Sequence, residues 1–375
     1  MAKVFVGMSG GVDSSVAAML LVQQGYDVTG VYMKNWSRDL PGMKCPWAED
    51  LADAKRVAVK LGIPFEVWDF EDAYREKVVE YMLAEFKKGN TPNPDIMCNQ
   101  EIKFKLFFEK ALEKGADFIA TGHYARVIPF SQTSSCPPVV TGGTSSKLPV
   151  GRNVCENGIS LARATDENKD QTYFLYRISK EALKHTLFPI GEMLKPDVKK
   201  LAAEHGLHNA YKKESMGVCF VGEVGMKDFL KEYIDIKPGE IREIESEKVL
   251  GYHEGAIFYT IGQRHGLYLS GVAGEKNDGM PYYVVDKDLE KNIVYVSKNL
   301  NHAAIWTKEL ELTDIMLRDE IPEKISVRLR HRAPLVPATF DGTKVIFENE
   351  IKRPASGQSV VFYDGEICLG GGIIK

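Results

Sequence analysis

The feature that most restricts the fold of this chain is a glycine-rich loop close to its N-terminus. Residues 3–8 (KVFVGM) have the continuous apolar character of a buried strand, the loop SGGVDSS follows at 9–15, and apolar residues then recur at helical spacing up to Gly25. Glycines allow backbone N–H groups to approach a phosphate, and a helix N-terminus adds partial positive charge. The opening therefore predicts a β-loop-α unit with an anion site.

The same alternation of strand and helix continues through the first half of the chain. Strands are predicted at 28–33, 65–70 and 116–121, and helices near 48–61 and within 72–113. Because strands that alternate with helices form parallel sheets covered on both faces, we predict an α/β domain with a doubly wound sheet. A further strand at 159–164 returns to this domain, and a mainly helical stretch then runs to about residue 209.

The pattern changes at about residue 215, where short β-rich runs are separated by turn residues. We predict an α/β domain at 1–212, a small central linking domain at 213–285 and a C-terminal antiparallel β-barrel at 286–375, with a sandwich as the alternative to the barrel. Within the first domain, residues 131–158 begin with a stretch in which 13 of 19 residues are Ser, Thr, Gly or Pro. This composition predicts a flexible surface insertion.

Composition excludes several classes of protein. The 48 Lys and Arg residues against 52 Asp and Glu residues give a net charge of −4, which excludes a polycation that binds nucleic acid through net charge alone. Six cysteines without a CxxC pair do not form a disulfide scaffold or a recognisable zinc site. The sequence shows no signal or transit peptide and no run of about 18 apolar residues, so we expect a cytoplasmic protein without a membrane partner.

The loop SGGVDSS differs from the common nucleotide-binding loops, since no Gly-Lys-[Ser/Thr] follows it and it does not match GxGxxG. Ser9, Ser14 and Ser15 can donate hydrogen bonds to phosphate oxygens. The Asp13 carboxylate would repel a triphosphate unless a divalent cation lay between them, which predicts Mg²⁺. The alternative is an ordinary glycine-containing N-cap with Asp13 near the helix start.

Two cysteines lie in stretches of unusual sequence. Cys98 ends TPNPDIMC, in which two prolines restrict the backbone and Asp95 precedes the thiol by three residues. A carboxylate near a thiol can accept or donate its proton. Cys219 lies 219 − 98 = 121 residues further on, between glycines in GVCFVG. Cys155 and Cys368 are interpreted as buried small hydrophobic residues, the common role of an isolated cysteine.

Several motifs together resemble known families. SGGVDSS after an N-terminal strand resembles the PP-loop of the N-type ATP pyrophosphatases, an adenine nucleotide alpha hydrolase-like group that splits ATP between its α- and β-phosphates. Five further motifs are similar in order and spacing to those of the tRNA-specific 2-thiouridylases: TPNPDIMCN (91–99), ATGHYAR (120–126), KDQTYFL (169–175), GVCFVGE (217–223) and GQSVVFYDGEICLGGGII (357–374). This resemblance covers essentially the whole chain outside 129–158.

The resemblance implies ATP-dependent insertion of sulfur at C2 of the wobble uridine in the tRNAs for Lys, Glu and Gln. It implies adenylation of the C2 oxygen with release of pyrophosphate, then transfer of sulfur from a cysteine persulfide with release of AMP. A cysteine desulfurase or a sulfur-relay carrier would supply the persulfide, and a monomer is expected. The residues implied for ATP are Gly7, Met8, Ser9, Gly10, Gly11, Val12, Asp13, Ser14, Met33 and Gly122.

The same resemblance implies roles toward sulfur and RNA. Cys98 matches the nucleophile of the family and Cys219 its persulfide carrier, and the two can close into a disulfide. Asp95 is our candidate for proton transfer. The positions that match contacts to the target base are Asn93, Pro94 and Asp95. The positions that match other contacts to tRNA are His123, Lys169, Asp170, Gln171, Arg330, His331 and Gln358. The chain departs from the family at its insertion and at His331, where relatives can carry an aromatic residue.

Local positive charge is the other indication of RNA binding. Arg328, Arg330 and Arg332 alternate along a predicted strand and would lie on one face, where phosphates are their natural partners. The alternative is the charged solvent face of an edge strand. Five lysines between residues 195 and 213 could likewise face a polyanion. For His123, the alternative to a substrate contact is a packed histidine at the end of a strand.

Two other functions fit parts of the pattern. A PP-loop ligase or amidotransferase that acts on a small metabolite would not need Cys98 and Cys219, and we expect no glutaminase domain before the loop. A non-catalytic tRNA-binding factor that retains ATP binding would leave the nucleoside composition of RNA unchanged. The two cysteine motifs and the β-rich C-terminal half favour the sulfur-transferring enzyme.

Overall fold

The computed structural model describes residues 1–39, 45–129, 158–213, 226–267, 269 and 280–375. The predicted insertion, apart from Gly158, lies outside the described residues together with Cys136 and Cys155. Cys219 also lies outside them. Strands and helices are numbered below in chain order.

The described strands divide among three sheets. They are β1 (Lys3–Gly7), β2 (Asp27–Lys34), β3 (Phe65–Asp69), β4 (Phe118–Thr121), β5 (Ala125–Pro129), β6 (Ile159–Arg163), β7 (Thr186–Leu187), β8 (Gly239–Glu243), β9 (Val249–His253), β10 (Tyr283–Asp288), β11 (Ile293–Ser297), β12 (Trp306–Leu317), β13 (Ile325–Arg328), β14 (Val336–Phe340), β15 (Lys344–Lys352), β16 (Ser359–Asp364) and β17 (Ile367–Ile374).

The helices lie mainly in the first half of the chain. They are α1 (Val12–Gln23), α2 (Trp47–Leu61), α3 (Glu71–Tyr74), α4 (Tyr81–Lys87), α5 (Pro94–Met97), α6 (Phe107–Glu113), α7 (Thr172–Leu175), α8 (Lys180–Lys184), α9 (Lys195–Glu204) and α10 (Met226–Tyr233). Two π-helical segments, Arg75–Glu80 and Cys98–Leu106, continue α3 and α5, and Ala256–Phe258 forms a 3₁₀ turn. Across the described ranges, no helix has the length and apolar character needed to cross a membrane.

Five parallel strands form the sheet of the α/β domain, in the order β3-β2-β1-β4-β7. Successive side chains of a strand point to opposite faces. Val4 and Val6 of β1 therefore enter one hydrophobic core, with α1, α2 and α9, whereas Phe5 enters the other core, with α4 and α6. Helices thus cover both faces of the sheet, which confirms the predicted doubly wound α/β fold.

A mixed sheet in the order β10-β11-β8-β9 forms the central domain. β8 and β11 run parallel, and the other neighbours run antiparallel. Its small core includes Ile241, Val284 and Val294. The predicted boundary at residue 285 falls inside β10, because PYYVVDKD pairs with NIVYVS as a hairpin of this sheet.

Six antiparallel strands form a closed barrel at the C-terminal end, in the order β12-β15-β14-β13-β16-β17, and the pairing of β12 with β17 closes it. The barrel is therefore confirmed in preference to the sandwich. Gly370 of β17 has a φ of +142°, and a Cβ there would lie 2.2 Å from the carbonyl oxygen of Met316. Glycine is required where β17 approaches β12, because no side chain fits between the two backbones.

The barrel sheet continues into the first domain. β5 and β6 form an antiparallel hairpin, and β6 pairs with β17 through Leu161 with Cys368 and Ala162 with Ile367. The strand at 159–164 returns to the α/β domain, where Ile159 and Leu161 pack in its core, but it does not join the parallel sheet. The strand adds instead to the barrel sheet, where the N–H and C=O groups along the edge of β17 give its backbone hydrogen-bond partners.

A buried ion pair lies beside this junction. Asp170 is 1% exposed, and its Oδ2 accepts a hydrogen bond from Arg328 Nη1 at 2.7 Å. The Thr172 hydroxyl donates to the same carboxylate at 2.9 Å, and Arg163 Nε lies 3.8 Å from it. Arg328, the last residue of β13, is itself buried. Because a buried charge without a partner is costly, the pair fixes β13 against the segment that carries Asp170.

The prediction that Arg328, Arg330 and Arg332 share one face of a strand is wrong. β13 ends at Arg328, whose guanidinium points into the interior toward Asp170. Arg332 has a φ of +63°, a left-handed conformation that a strand does not accommodate. Arg330 and Arg332 are exposed in the turn that follows β13.

Replacing Arg328 tests the structural role of the buried pair. Arg328→Met keeps much of the side-chain volume but leaves the Asp170 carboxylate buried without its cation. We expect the free energy of unfolding, measured by urea denaturation, to fall by about 3–5 kcal/mol. Arg330→Met, at an exposed position two residues away, is the matched control and should change it by less than about 0.5 kcal/mol. Equal stabilities of the two variants would contradict this role.

Candidate functional site

The glycine-rich loop leaves the C-terminal end of β1 and enters α1. Gly11 is the N-cap of α1, with φ −82° and ψ 162°, and no side chain of the described residues caps the helix. Backbone N–H groups at the helix start therefore remain open to an anion. Gly10 has a φ of +77°, and a Cβ there would lie 2.3 Å from the carbonyl oxygen of Asp50. Only glycine fits this position, and the loop has the geometry of an anion site.

The three serines of the loop differ in exposure. Ser9 is exposed, and its N–H donates to Ser14 Oγ at 3.2 Å. Ser14 and Ser15 are buried, and their hydroxyls donate to the Gly11 carbonyl oxygen at 3.2 and 2.8 Å. Of the three predicted phosphate donors, Ser9 thus faces solvent, whereas Ser14 and Ser15 stabilise the turn into the helix.

The Asp13 carboxylate has a cationic partner within the protein. Lys195 Nζ donates to both of its oxygens at 2.7 Å, and the Tyr124 hydroxyl donates to Oδ1 at 3.0 Å. This pairing corrects the reasoning that Asp13 requires a divalent cation, because Lys195 already compensates its charge. Lys195 is buried, so the expectation that it faces a polyanion is corrected as well. In the part of the chain that the structure describes, no three His, Cys, Asp or Glu side chains cluster as a metal site.

Predicted nucleotide residues from three strands meet at one edge of the sheet. A Cβ at Gly122, just after β4, would lie 2.5 Å from the backbone nitrogen of Ser14. A Cβ at Gly7, the end of β1, would lie 2.8 Å from Met33 Cε on β2. Glycine thus permits close packing at both positions. The carboxyl ends of parallel strands, where these residues lie, are the usual ligand-binding edge of an open α/β sheet.

His123 links this edge to the helix that carries Cys98. Its Nδ1 lies 2.8 Å from Thr121 Oγ1, and its ring packs against Phe104, with 5.9 Å between the ring centroids. Phe104 belongs to the π-helical segment that begins at Cys98. Burial, together with the charge of Lys103, lowers the pKa of His123 well below its usual value, so the ring is neutral at pH 7. His123 therefore packs against Phe104 beside the site while its side chain stays partly exposed, and its contact with tRNA remains a prediction.

The motif around Cys98 starts with a capped helical turn. Asn93 Oδ1 accepts hydrogen bonds from two backbone N–H groups at 3.1 and 3.4 Å, and Pro94 occupies the first position of α5. Asp95 and Cys98 consequently lie one helical turn apart. Burial raises the pKa of Asp95, and the charge of Lys103 opposes this shift. Cys98 is 1% exposed and packs in the core of the domain.

The barrel contacts the same motif directly. Gln358 Nε2 donates to the Thr91 carbonyl oxygen at 2.6 Å, and the Thr91 N–H donates to the Ser356 carbonyl oxygen at 2.7 Å. Between them, Gly357 has a φ of +85°, and a Cβ there would lie 2.9 Å from the Thr91 nitrogen. Gln358, predicted to contact tRNA, therefore also fixes the start of the segment that leads to Cys98.

His331 is connected to Cys98 through two intervening residues, Phe174 and Asn99. The rings of His331 and Phe174 lie 4.5 Å apart, and the Phe174 carbonyl oxygen accepts a hydrogen bond of 3.0 Å from Asn99 Nδ2. Asn99 is the neighbour of Cys98 in the chain. Burial lowers the pKa of His331 to about 4, so its ring is neutral at pH 7. Arg330, which precedes it, is exposed.

Lys169, Asp170 and Gln171 differ in accessibility. Lys169 and Gln171 are partly exposed, and Gln171 Oε1 accepts a hydrogen bond from the Tyr124 N–H at 2.9 Å. Asp170 is enclosed in its ion pair with Arg328, which corrects the expectation that its side chain contacts tRNA. Of the three predicted positions in this motif, Lys169 and Gln171 therefore have the accessible side chains.

The structure brings together residues from most of the predicted motifs, while Cys219 lies outside the described residues. Sequence analysis does not identify Lys195, Tyr124 or Asn209 as site residues. Tyr124 lies within ATGHYAR, which the resemblance singles out, so that motif could have indicated it. Lys195 and Asn209 lie in a helical stretch whose sequence carries no local signal of contact with the distant loop.

Comparison with known families matches the chain in three consecutive parts. Residues 2–223 match the family described as the tRNA methyl transferase HUP domain. Residues 227–298 match the tRNA methyl transferase PRC-barrel domain, and residues 304–374 match the aminomethyltransferase beta-barrel domain. The order of these matches follows the order of the three sheets in the structure.

Curated relatives are similar to the chain over almost its whole length. The tRNA-specific 2-thiouridylase MnmA of Listeria monocytogenes is 45% identical, covering 99% of this chain and 94% of the relative. The protein of the same name from Listeria welshimeri is 44% identical with the same coverage. A solved structure, the predicted subunit of tRNA methyltransferase from Methanocaldococcus jannaschii, is 15% identical and covers 54% of this chain and 76% of that chain. Its TM-score of 0.29 is too low to support a conclusion.

The ion pair between Lys195 and Asp13 predicts an energetic coupling between the two residues. Lys195→Met should lower the free energy of unfolding by about 1–3 kcal/mol, because the carboxylate loses a charge-assisted partner. Adding Asp13→Asn should recover part of this loss, and urea denaturation of both single variants and the double variant measures the coupling. Lys200→Met on the exposed face of α9 is the control. A coupling energy near zero would contradict the assigned pairing.

Proposed function

We propose that this chain, which belongs to the tRNA-specific 2-thiouridylase family, inserts sulfur at C2 of wobble uridine 34 in the tRNAs for Lys, Glu and Gln, using ATP and a cysteine persulfide. One structural observation carries the proposal. Two residues just after β4 link the two parts of the site. Gly122 packs against the phosphate loop at Ser14, and His123 packs against Phe104 in the helical segment that begins at Cys98. An activating nucleotide and a thiol therefore have neighbouring sites, as activation followed by sulfur transfer requires.

ATP is the proposed co-substrate of the glycine-rich loop. The exposed Ser9 hydroxyl and the N–H groups at the start of α1 would hold its phosphates. Gly7, Met33 and Gly122 would form the edge that faces the rest of the nucleotide. Since Lys195 compensates the charge of Asp13, the loop presents no unpaired carboxylate to the phosphates.

Mg²⁺ is proposed to arrive with ATP. The donor set at the loop does not fit a cation held by the protein, because Lys195 and Tyr124 already bind the Asp13 carboxylate. Phosphate oxygens and water can supply the ligands of Mg²⁺ with few protein groups. The steps that follow do not depend on the position of the cation.

The first step makes the uridine oxygen a leaving group. The target base is flipped out of its stack, and its O2 attacks the α-phosphorus of ATP. The bond to the β-phosphate breaks, pyrophosphate leaves, and N3 of the base gives up its proton. Asp95 is the proposed acceptor, because burial raises its pKa and so makes it a stronger base than an exposed aspartate.

The second step transfers sulfur. The terminal sulfur of a Cys219 persulfide attacks C2, and AMP leaves with the former carbonyl oxygen. The Cys98 thiolate then attacks Cys219 Sγ, which forms a disulfide, leaves one sulfur on C2 and lets the proton return to N3. In the alternative order, Cys98 first releases hydrosulfide from the persulfide, and this attacks C2. Either route ends in a disulfide between Cys98 and Cys219. A thiol reductant then reduces this disulfide and regenerates both thiols.

The proposed partners follow from this chemistry. A cysteine desulfurase or a sulfur-relay carrier would load Cys219, and the enzyme would act as a cytoplasmic monomer. The residues proposed to contact tRNA are Asn93, Pro94, Asp95, His123, Lys169, Gln171, Arg330, His331 and Gln358. In this set Arg330 is an exposed cation and Lys169 a partly exposed one, and the neutral ring of His331 would supply a stacking surface beside Arg330.

Nucleoside mass spectrometry tests the proposed activity. Unmodified tRNAs for Lys, Glu and Gln are incubated with the protein, Mg²⁺-ATP and a persulfide donor. We expect 2-thiouridine to form only with ATP, and Cys98→Ser and Cys219→Ser to reduce its yield by about 100-fold or more, because each removes a sulfur nucleophile.

Cys368→Ser provides the matched control. Cys368 is buried in β17 and donates to the Thr172 carbonyl oxygen, a bond that serine can replace, so this variant should retain activity. Full activity of Cys219→Ser would contradict its role as persulfide carrier. Binding of ATP and tRNA without any 2-thiouridine would instead favour a non-catalytic binding factor.

A further inference from the structure

The side chain of Asn209 contacts the phosphate loop on its buried side. This side chain is 2% exposed, and Nδ2 donates hydrogen bonds of 2.9 Å to the Gly10 carbonyl oxygen and to Ser15 Oγ. The carbonyl oxygen can only accept, so the contact needs a donor, which fixes the orientation of the amide. The other amide atom, Oδ1, is buried without a hydrogen-bond partner among the described residues. The contribution of this side chain to the loop therefore lies in Nδ2.

The contact with Gly10 determines where the next N–H points. The carbonyl of Gly10 and the N–H of Gly11 belong to one peptide unit, and in a trans peptide they point in opposite directions. The described residues contain no cis peptide bond. Because Asn209 holds the carbonyl on the buried side, the Gly11 N–H is directed to the exposed side, where it donates a long hydrogen bond of 3.5 Å to the exposed Ser9 hydroxyl, which a phosphate oxygen can replace.

The segment that carries Asn209 is itself anchored on both sides. His208 Nε2 lies 2.9 Å from Asp53 Oδ1, and Lys212 Nζ donates to Asp53 at 2.6 Å and to Asp50 at 2.8 Å. Asp50 is also the residue whose carbonyl oxygen would lie 2.3 Å from a Cβ at Gly10. The loop at Gly10 thus packs against the start of α2 and residues 208–212, which are bonded to each other.

We infer that Asn209 is a positioning residue of the nucleotide site, which orients the Gly11 N–H toward the phosphates of ATP by holding the Gly10 carbonyl. The inference rests on the proposed binding of ATP at this loop. Asn209 contacts no nucleotide itself, since its amide is enclosed behind the loop. A phosphate-binding amide has to be oriented before the ligand arrives, because otherwise part of the binding free energy is used to order the loop.

Asn209→Asp tests this role with little change in size. A carboxylate cannot donate to the Gly10 carbonyl and repels it, so the Gly11 N–H should lose its orientation. We expect the Kd of Mg²⁺-ATP, measured by isothermal titration calorimetry, to rise by about tenfold or more. The Kd of tRNA should stay within about twofold, and the KM for ATP should rise more than kcat falls.

Two further variants make the outcome decisive. Asn301→Asp, an identical change at an exposed position, should leave both affinities unchanged. Asn209→Ala removes the donor without adding charge, and it decides the question if the aspartate variant does not fold. Unchanged ATP affinity in folded Asn209 variants, or an equal loss of ATP and tRNA affinity, would overturn the inference and leave the proposed function intact. Wild-type protein that binds no ATP would overturn both.

Discussion

A buried ion pair between Asp170 and Arg328 joins the α/β domain to the barrel, and the arrangement of the candidate site depends on it. Neither charge is stable in the interior without the other, so the two elements that carry them must pack together. Gln171, the next residue, binds the backbone of Tyr124, whose hydroxyl reaches Asp13 in the phosphate loop. A short series of polar contacts thus connects the barrel to the loop, although the two lie in different domains.

The Asp13 carboxylate and the Cys98 thiol of the candidate site lie in different environments. The phosphate loop lies at the solvent-facing end of β1, and Lys195 neutralises its carboxylate. Cys98 lies instead in the hydrophobic core, below a segment that the barrel holds through Gln358 and Ser356. The two environments nevertheless adjoin at Gly122 and His123, as a reaction requires in which an oxygen is activated by phosphate chemistry before sulfur attacks the carbon that carries it.

The sequence predicts the features that depend on a local pattern of residues. It does not predict the position of a side chain that is set by a partner far away in the chain. Strand and helix periodicity predicts the doubly wound sheet, and short β-rich runs predict the barrel, because both patterns repeat along the chain. The alternation of Arg328 with its neighbours predicts an exposed face, but a partner 158 residues away draws this side chain inside. The roles of Lys195 and Asn209 are not predicted for the same reason. Both residues act through contacts with the phosphate loop, which lies some 180 to 200 residues earlier in the chain. The site residues carried over from the family remain predictions until each is tested.

Adenylation of the uridine oxygen is tested most directly by an isotope experiment. A tRNA whose wobble uridine carries ¹⁸O at C2 is incubated with the protein, Mg²⁺-ATP and a persulfide donor, and the released AMP and pyrophosphate are analysed by mass spectrometry. If O2 is bonded to the α-phosphorus before sulfur displaces it, the label appears in AMP in proportion to the 2-thiouridine formed, and pyrophosphate stays unlabelled. Formation of 2-thiouridine with unlabelled AMP would contradict activation of this oxygen at the phosphate loop.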